Sequence, residues 1–141
     1  MAAVLPNESL ARLLSYWIGQ TANVIVPWSL MLYTNDIELG PATVLADLTE
    51  ATFDGYTRKT LAPASWTAPA VVADEAVSTY TTDPLTWTVG DDSGTIHGYA
   101  VIDATAGKII GAESIDPPIE YTPAGVIGVL PRMVMRGIPC E

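Results

Sequence analysis

The sequence predicts a mainly β protein: an antiparallel β-sandwich or open barrel with an N-terminal amphipathic helix and one short helical turn. Three observations predict it. Apolar residues alternate with others over short stretches, as in Trp28, Leu30 and Leu32 against Ser29, Met31 and Tyr33. Gly and Pro clusters separate these stretches at Asp83-Pro84, Gly90-Asp91-Asp92-Ser93-Gly94, Ala106-Gly107, Pro117-Pro118 and Pro123-Ala124-Gly125. Only one segment near the start carries a helical stripe instead. Many short strands joined by such turns define a sandwich or an open barrel.

The helix is expected over residues 7–19. Asn7 is a good N-cap, and Glu8 suits the positive first turn. Leu10, Leu13, Leu14, Trp17 and Ile18 form one apolar stripe, and Gly19 marks the stop. A short helix of this kind cannot bury its own face, so it must dock on its own sheet or on a neighbouring subunit. Leu10, Leu14 and Trp17 are therefore candidate interface residues. From Val24 the period becomes that of strands. Thr34-Asn35-Asp36 and Gly40-Pro41 stop the first strand, and Thr43 to Leu48 reads as one or two helical turns. Further strands are expected over Tyr56–Leu61, Ala70–Ser78, Leu85–Val89, Thr95–Ile102, Lys108–Glu113 and Val126–Val134. The chain reads as a single domain over 1–141, with the β body at 24–134 and a C-terminal tail at 135–141.

Composition excludes several function classes. The 141 residues are 49% hydrophobic and 16% charged, and a mean hydropathy of +0.30 is high for a small soluble monomer. No apolar run approaches the roughly 20 residues needed to span a bilayer as a helix. The excess apolar surface is expected in a core and in a protein interface. The net charge is −10, and no Lys or Arg lies between Lys59 and Lys108. Such a surface repels a phosphate backbone, since nucleic-acid affinity comes largely from Lys and Arg displacing counterions. Direct nucleic-acid binding is not expected. The N-terminus lacks a basic region and a long apolar core, so no secretory signal is read there. Cys140 is the single cysteine, which rules out an intramolecular disulfide and a Cys/His metal cluster. Synthesis and folding in a cytoplasm are expected.

Catalytic chemistry finds little footing. His97 is the single histidine, and a Ser-His-Asp arrangement would need Ser93 as nucleophile and Asp103 as orienting carboxylate. Asn35, Asp36 and Glu38, or Asp91 with Asp92, could offer oxygen ligands to a cation. Neither matches the spacing of a calcium loop, and both read more simply as turns. No phosphate-cradling glycine motif occurs. No cofactor, metal site or catalytic residue is expected. The tryptophans Trp17, Trp28, Trp66 and Trp87 and six tyrosines suit a sheet core, and an exposed row of them would suit a carbohydrate-binding module.

The segment from Leu30 to Trp66 also carries a pattern. It contains LMLYTNDI, a short helical turn near Val44–Leu48, then TEATFDGY over Thr49–Tyr56, and the tryptophan at Ala64–Trp66. Together with the N-terminal amphipathic stripe, His97-Gly98-Tyr99 and Ile110-Gly111-Ala112-Glu113, this resembles a group of small tailed-bacteriophage virion proteins. The likeness spans about residues 8 to 130. His97 and Gly111 stand where that group has aromatics. The resemblance implies a non-enzymatic virion component. The leading expectation is a capsid cement or decoration protein on the outer surface of the head, bound to the major capsid protein as a homo-oligomer, most often a trimer. The alternatives are a tail, neck or fibre-base component, a carbohydrate-binding module, and most distantly a hydrolase around His97. The run Val126–Ile138 is apolar apart from Arg132 and Arg136, which are expected to set this segment against an acidic capsid or neighbouring-subunit surface.

Overall fold

The computed structural model describes Pro6 and residues 28–62, 65–73, 75–80 and 83–136. The predicted helix at 7–19, with Leu10, Leu14 and Trp17, lies outside the described residues, as does Cys140. Within them the chain is mainly β and antiparallel. Strand β1 (Trp28–Tyr33) is followed by a 3-10 turn (Leu45–Asp47), then β2 (Lys59–Leu61), β3 (Ala70–Val72), β4 (Glu75–Thr79), β5 (Leu85–Thr88), β6 (Gly94–Asp103), β7 (Lys108–Tyr121), β8 (Val126–Val129) and β9 (Arg132–Arg136). They form a four-stranded sheet in the order β2-β1-β6-β7, a three-stranded sheet β3-β4-β9 and a ribbon β5-β8. Among the described residues no sheet closes into a barrel.

Alternation along β1 explains the central sheet. Leu30 and Leu32 point into the main core with Val101, Ile110, Trp87, Val89, Ile127 and Val129, which joins this sheet to the β5-β8 ribbon. Met31 and Tyr33 point the other way, into a second cluster with Ala100, Ile102, Ile109 and Ala112. The loop between β1 and β2 covers that second face with Leu48, supported by Ile37, Leu39 and Leu45. The central sheet is thus apolar on both sides, which is why Met31 and Tyr33 do not read as the polar half of an amphipathic strand.

Four expected boundaries differ. The strand expected over Ala70–Ser78 is two strands, because the chain turns back at Ala73, whose φ is 49°. The last expected strand is broken at Leu130-Pro131 into β8 and β9, and β9 continues to Arg136. The strand expected from Tyr56 starts only at Lys59. Strand β7 runs on to Tyr121 through Pro117-Pro118, where a stop was expected. Prolines fit there because the ladder is interrupted: Ile96 pairs with Ile119 and Gly98 with Ser114, so residues 115–118 bulge opposite His97.

Candidate interaction surface

The residues of the TEATFDGY segment hold the loop on the central sheet. Asn35 extends β1 with its side chain: Nδ2 donates to the Asp47 carbonyl at 2.8 Å, and Oδ1 accepts from the Thr49 N–H at 2.8 Å. Thr34 N–H donates to the Thr49 carbonyl, and Ala51 N–H to the Leu32 carbonyl. Phe53 then enters the core, in ring contact with Tyr56 and Tyr121. Asp54 N–H donates to Asp92 Oδ2 at 2.7 Å, and Gly90 N–H donates back to the Asp54 carbonyl at 2.8 Å, tying this segment to the turn before β6.

Two clamps of the same design tie distant strands together. In the first, Arg58 meets both oxygens of Glu50, with Nε to Oε1 at 2.7 Å and Nη2 to Oε2 at 2.9 Å. Tyr56 Oη donates to the same carboxylate at 2.9 Å while accepting the Leu32 N–H. In the second, Arg132 meets Glu113 with Nε to Oε2 at 3.0 Å and Nη2 to Oε1 at 2.8 Å. Tyr99 Oη donates to Glu113 at 2.8 Å and accepts the Arg132 N–H at 3.1 Å. A two-pronged guanidinium–carboxylate pair is among the stronger polar contacts available to a protein. The hydrogen bond from Arg58 holds the Glu50 carboxyl below the usual range. Burial pushes the hydroxyls of Tyr56 and Tyr99 upward, which keeps both protonated as donors.

The second clamp lines a groove of about 280 Å³ with Ser114, Ile115, Asp116 and Leu130. Arg132, a candidate interface residue, is thus at this rim with its head group engaged by Glu113. Leu130 beside it is 43% exposed, and Val126 at the start of β8 is 66% exposed. Arg136 ends β9, with its backbone opposite Glu75. The Glu113–Arg132 pair was not legible in the sequence, because the two residues lie on strands of different sheets and 19 positions apart in the chain, which leaves no local spacing to read.

The other candidate residues are not brought together. Along an extended strand, six residues span roughly 20 Å, which separates His97 from Asp103. Asp103 is buried and caps the β6–β7 turn, accepting from the N–H groups of Thr105 and Ala106 at 3.1 Å. Ser93 lies on the exposed turn before β6. His97 Nδ1 stands 3.9 Å from Asp36 Oδ1. The Ser93, His97 and Asp103 arrangement that a hydrolase would need is therefore not assembled. Among the described residues, no group of three or more His, Cys, Asp or Glu gathers to hold a metal ion, and no helix is long and apolar enough to cross a membrane. Asn35 and Asp92 spend their side chains on backbone groups, as turn residues do.

The described aromatics are packed inward. Trp87 is buried and donates its Nε1–H to the Thr57 carbonyl at 2.6 Å, while Trp28 and Trp66 meet edge to face at 6.5 Å. Tyr33, Tyr80 and Tyr99 are buried. No exposed row of rings for sugar stacking exists among the described residues.

The exposed Val126 and Leu130 and the groove beside the second clamp are carried by a mainly β, antiparallel body. In comparisons with known proteins, no family profile matched the chain, and neither a curated protein nor a solved structure matched it.

Proposed function

We propose that the protein is a non-enzymatic structural component of a tailed-bacteriophage virion: a cement or decoration protein that binds the outer surface of the major-capsid-protein shell as a homo-oligomer, a trimer. The body is a β-sandwich-like scaffold for that contact. The observation that carries the reading is the role of the TEATFDGY segment. The residues behind the resemblance to small virion proteins are those that close the loop over the central sheet, so the likeness concerns the determinants of the fold. The acidic surface, with a net charge of −10, suits a position facing away from packaged DNA. A protein that binds only the assembled shell stabilises it by mass action.

The shell-facing contact is placed on the run from Val126 to Arg136, where Val126 and Leu130 are exposed beside the Arg132–Glu113 clamp. The test compares heads carrying the wild-type protein, heads lacking it, and heads carrying Val126→Asp with Leu130→Asp. Cryo-EM of whole particles should find the wild-type protein on the outer head surface. Heat-induced release of DNA should begin at lower temperature in heads that lack the protein, and occupancy should fall in the double variant. Density on the tail or neck, or equal heat stability with and without the protein, would sink the cement role.

A further inference from the structure

The groove beside the second clamp forms where β7 leaves β6. Gly98 pairs with Ser114 and Ile96 with Ile119, so Ile115 and Asp116 bulge out of the ladder and line the groove with Leu130. One pair of charges in it is balanced within the molecule. Arg132 meets both oxygens of Glu113, and Tyr99 Oη donates to the same carboxylate. Asp116 differs. It is exposed on the bulge, and among the described residues no Lys or Arg side chain pairs with it. Beside it stands apolar surface. Ile115 is half-buried, and Val126, Gly128 and Leu130 face outward in alternation with the buried Ile127 and Val129.

We propose that this groove receives a Lys or Arg side chain of a partner protein, presented on an extended segment whose apolar residue two positions on covers Leu130. Charge complementarity selects this occupant. Arg58 is spent on Glu50 and Arg132 on Glu113, and Lys59 lies over the Trp87 ring. Arg132 thus directs its charge to Glu113, and the charge left over in the groove is the negative one of Asp116. The whole chain adds to that sign, at a net −10. A cation gains on entering such a field, and a phosphate-bearing partner is repelled. The partner that fits is therefore basic, not acidic. The apolar neighbours set a second requirement. A lone cation binds weakly at an exposed carboxylate, because water screens the pair. An apolar side chain over Leu130 and Ile115 excludes that water and adds hydrophobic contact. Residues two apart in an extended segment share one face, so a basic and an apolar residue at that spacing can enter together. The shell as the source of this segment rests on the function proposed above, while the basic and apolar chemistry follows from the groove alone.

The groove is tested first without any virion. Isotope-labelled full-length protein is titrated with the tripeptide N-acetyl-Arg-Ser-Leu-amide and followed by NMR. The amides of Ser114, Ile115, Asp116 and Leu130 should shift, and that of Thr105 on the β6–β7 turn should not. Glutamate in place of the peptide's arginine, or Asp116→Asn in the protein, should weaken binding about threefold or more. Asp91→Asn removes the same charge from the exposed turn before β6 and should leave binding unchanged. No shift in the groove, or equal weakening by Asp91→Asn, would overturn the proposal. Shifts of the same amides on concentrating the protein alone would assign the groove to a second copy and overturn it too. Heads lacking the protein then test the source of the segment. Asp116→Lys should cut their occupancy about tenfold relative to wild type, through like-charge contact. Equal occupancy of the two proteins would remove the groove from shell binding. If wild-type protein binds no heads while the tripeptide still finds the groove, the cement reading fails and the groove's chemistry stands.

Discussion

At the scale of single residues, the molecule spends its polar chemistry on holding strands. Glu50, Tyr56 and Arg58 on one side, and Glu113, Tyr99 and Arg132 on the other, each link a loop or strand to a neighbour through one carboxylate. The first clamp has a pH signature. Arg58 lowers the folded pKa of Glu50 beneath its ordinary 4.5. Its contribution is therefore complete above that value and is lost as pH falls through the lower, folded one. The pair is about a third exposed, so solvent screens it, and its net worth is on the order of 1 kcal/mol or less. Glu50→Gln should lower the urea midpoint at pH 7 and shrink the difference between pH 7 and pH 3. An unchanged pH difference would show that the clamp does not titrate with folding. The first clamp was not read from the sequence, although Glu50, Tyr56 and Arg58 lie within nine positions of one another. Neither was the second, because Glu113 and Arg132 meet only through the tertiary fold.

At the scale of elements, close approaches decide which residues are small. Tyr33 reaches from β1 across β6 to place its hydroxyl 3.2 Å from Ser114 Oγ on β7. It crosses Gly98, where a Cβ would collide with the Tyr33 hydroxyl and with the Glu113 carbonyl. At Gly111 a Cβ would lie 2.9 Å from the Met133 methyl. Met133, supplied by β9, occupies the space that a side chain at Gly111 would enter. Gly111→Leu should destabilise the protein by about 1–3 kcal/mol through overpacking. Met133→Ala introduced together with it should recover part of that loss, as measured by chemical denaturation. Two additive losses would show that the two positions do not share this space. The elements also show where sequence patterns succeed and fail. Period-two alternation located β6 to within a residue, and the Thr34-Asn35-Asp36 stop located the end of β1, because both strands carry long apolar rows. The β3–β4 turn escaped notice because Ala73 adopts a positive φ without being Gly or Asn. Pro117-Pro118 looked like a stop because a bulge, invisible in the pattern, removes the need for their N–H groups.

At the scale of the whole molecule, apolar surface in excess of the core is the feature that asks for a partner. Val71, Val72, Val126, Leu130 and Met135 are exposed, while the charge is strongly acidic. Val126 and Leu130 are the part of this surface that the proposed function sets against a capsid shell. If the cement reading holds, the free protein should be trimeric by light scattering at micromolar concentration, and Val126→Asp with Leu130→Asp should leave its unfolding free energy within about 0.5 kcal/mol of wild type, as surface changes do. A monomer at that concentration would remove the trimer, and a large loss of stability would move those two residues from the interface to the fold. Fold class was legible in the sequence because turns and alternation are local. Which apolar residues lie exposed was not, because exposure depends on which strands meet.

The position of β1 has a kinetic consequence. Strands β6 and β7 are joined by a tight turn capped by Asp103, whereas β1 pairs with β6 from roughly 70 positions earlier in the chain. A ribosome releases β1 long before its partner exists, and closing so large a loop is entropically slow. Refolding is therefore expected in milliseconds to seconds rather than microseconds. Pulse-labelling should find the β6–β7 hairpin protected first and β1 afterwards. Until β6 arrives, β1 has only the three-residue β2 to pair with, leaving one edge of a two-sided apolar strand open and exposed to aggregation during synthesis.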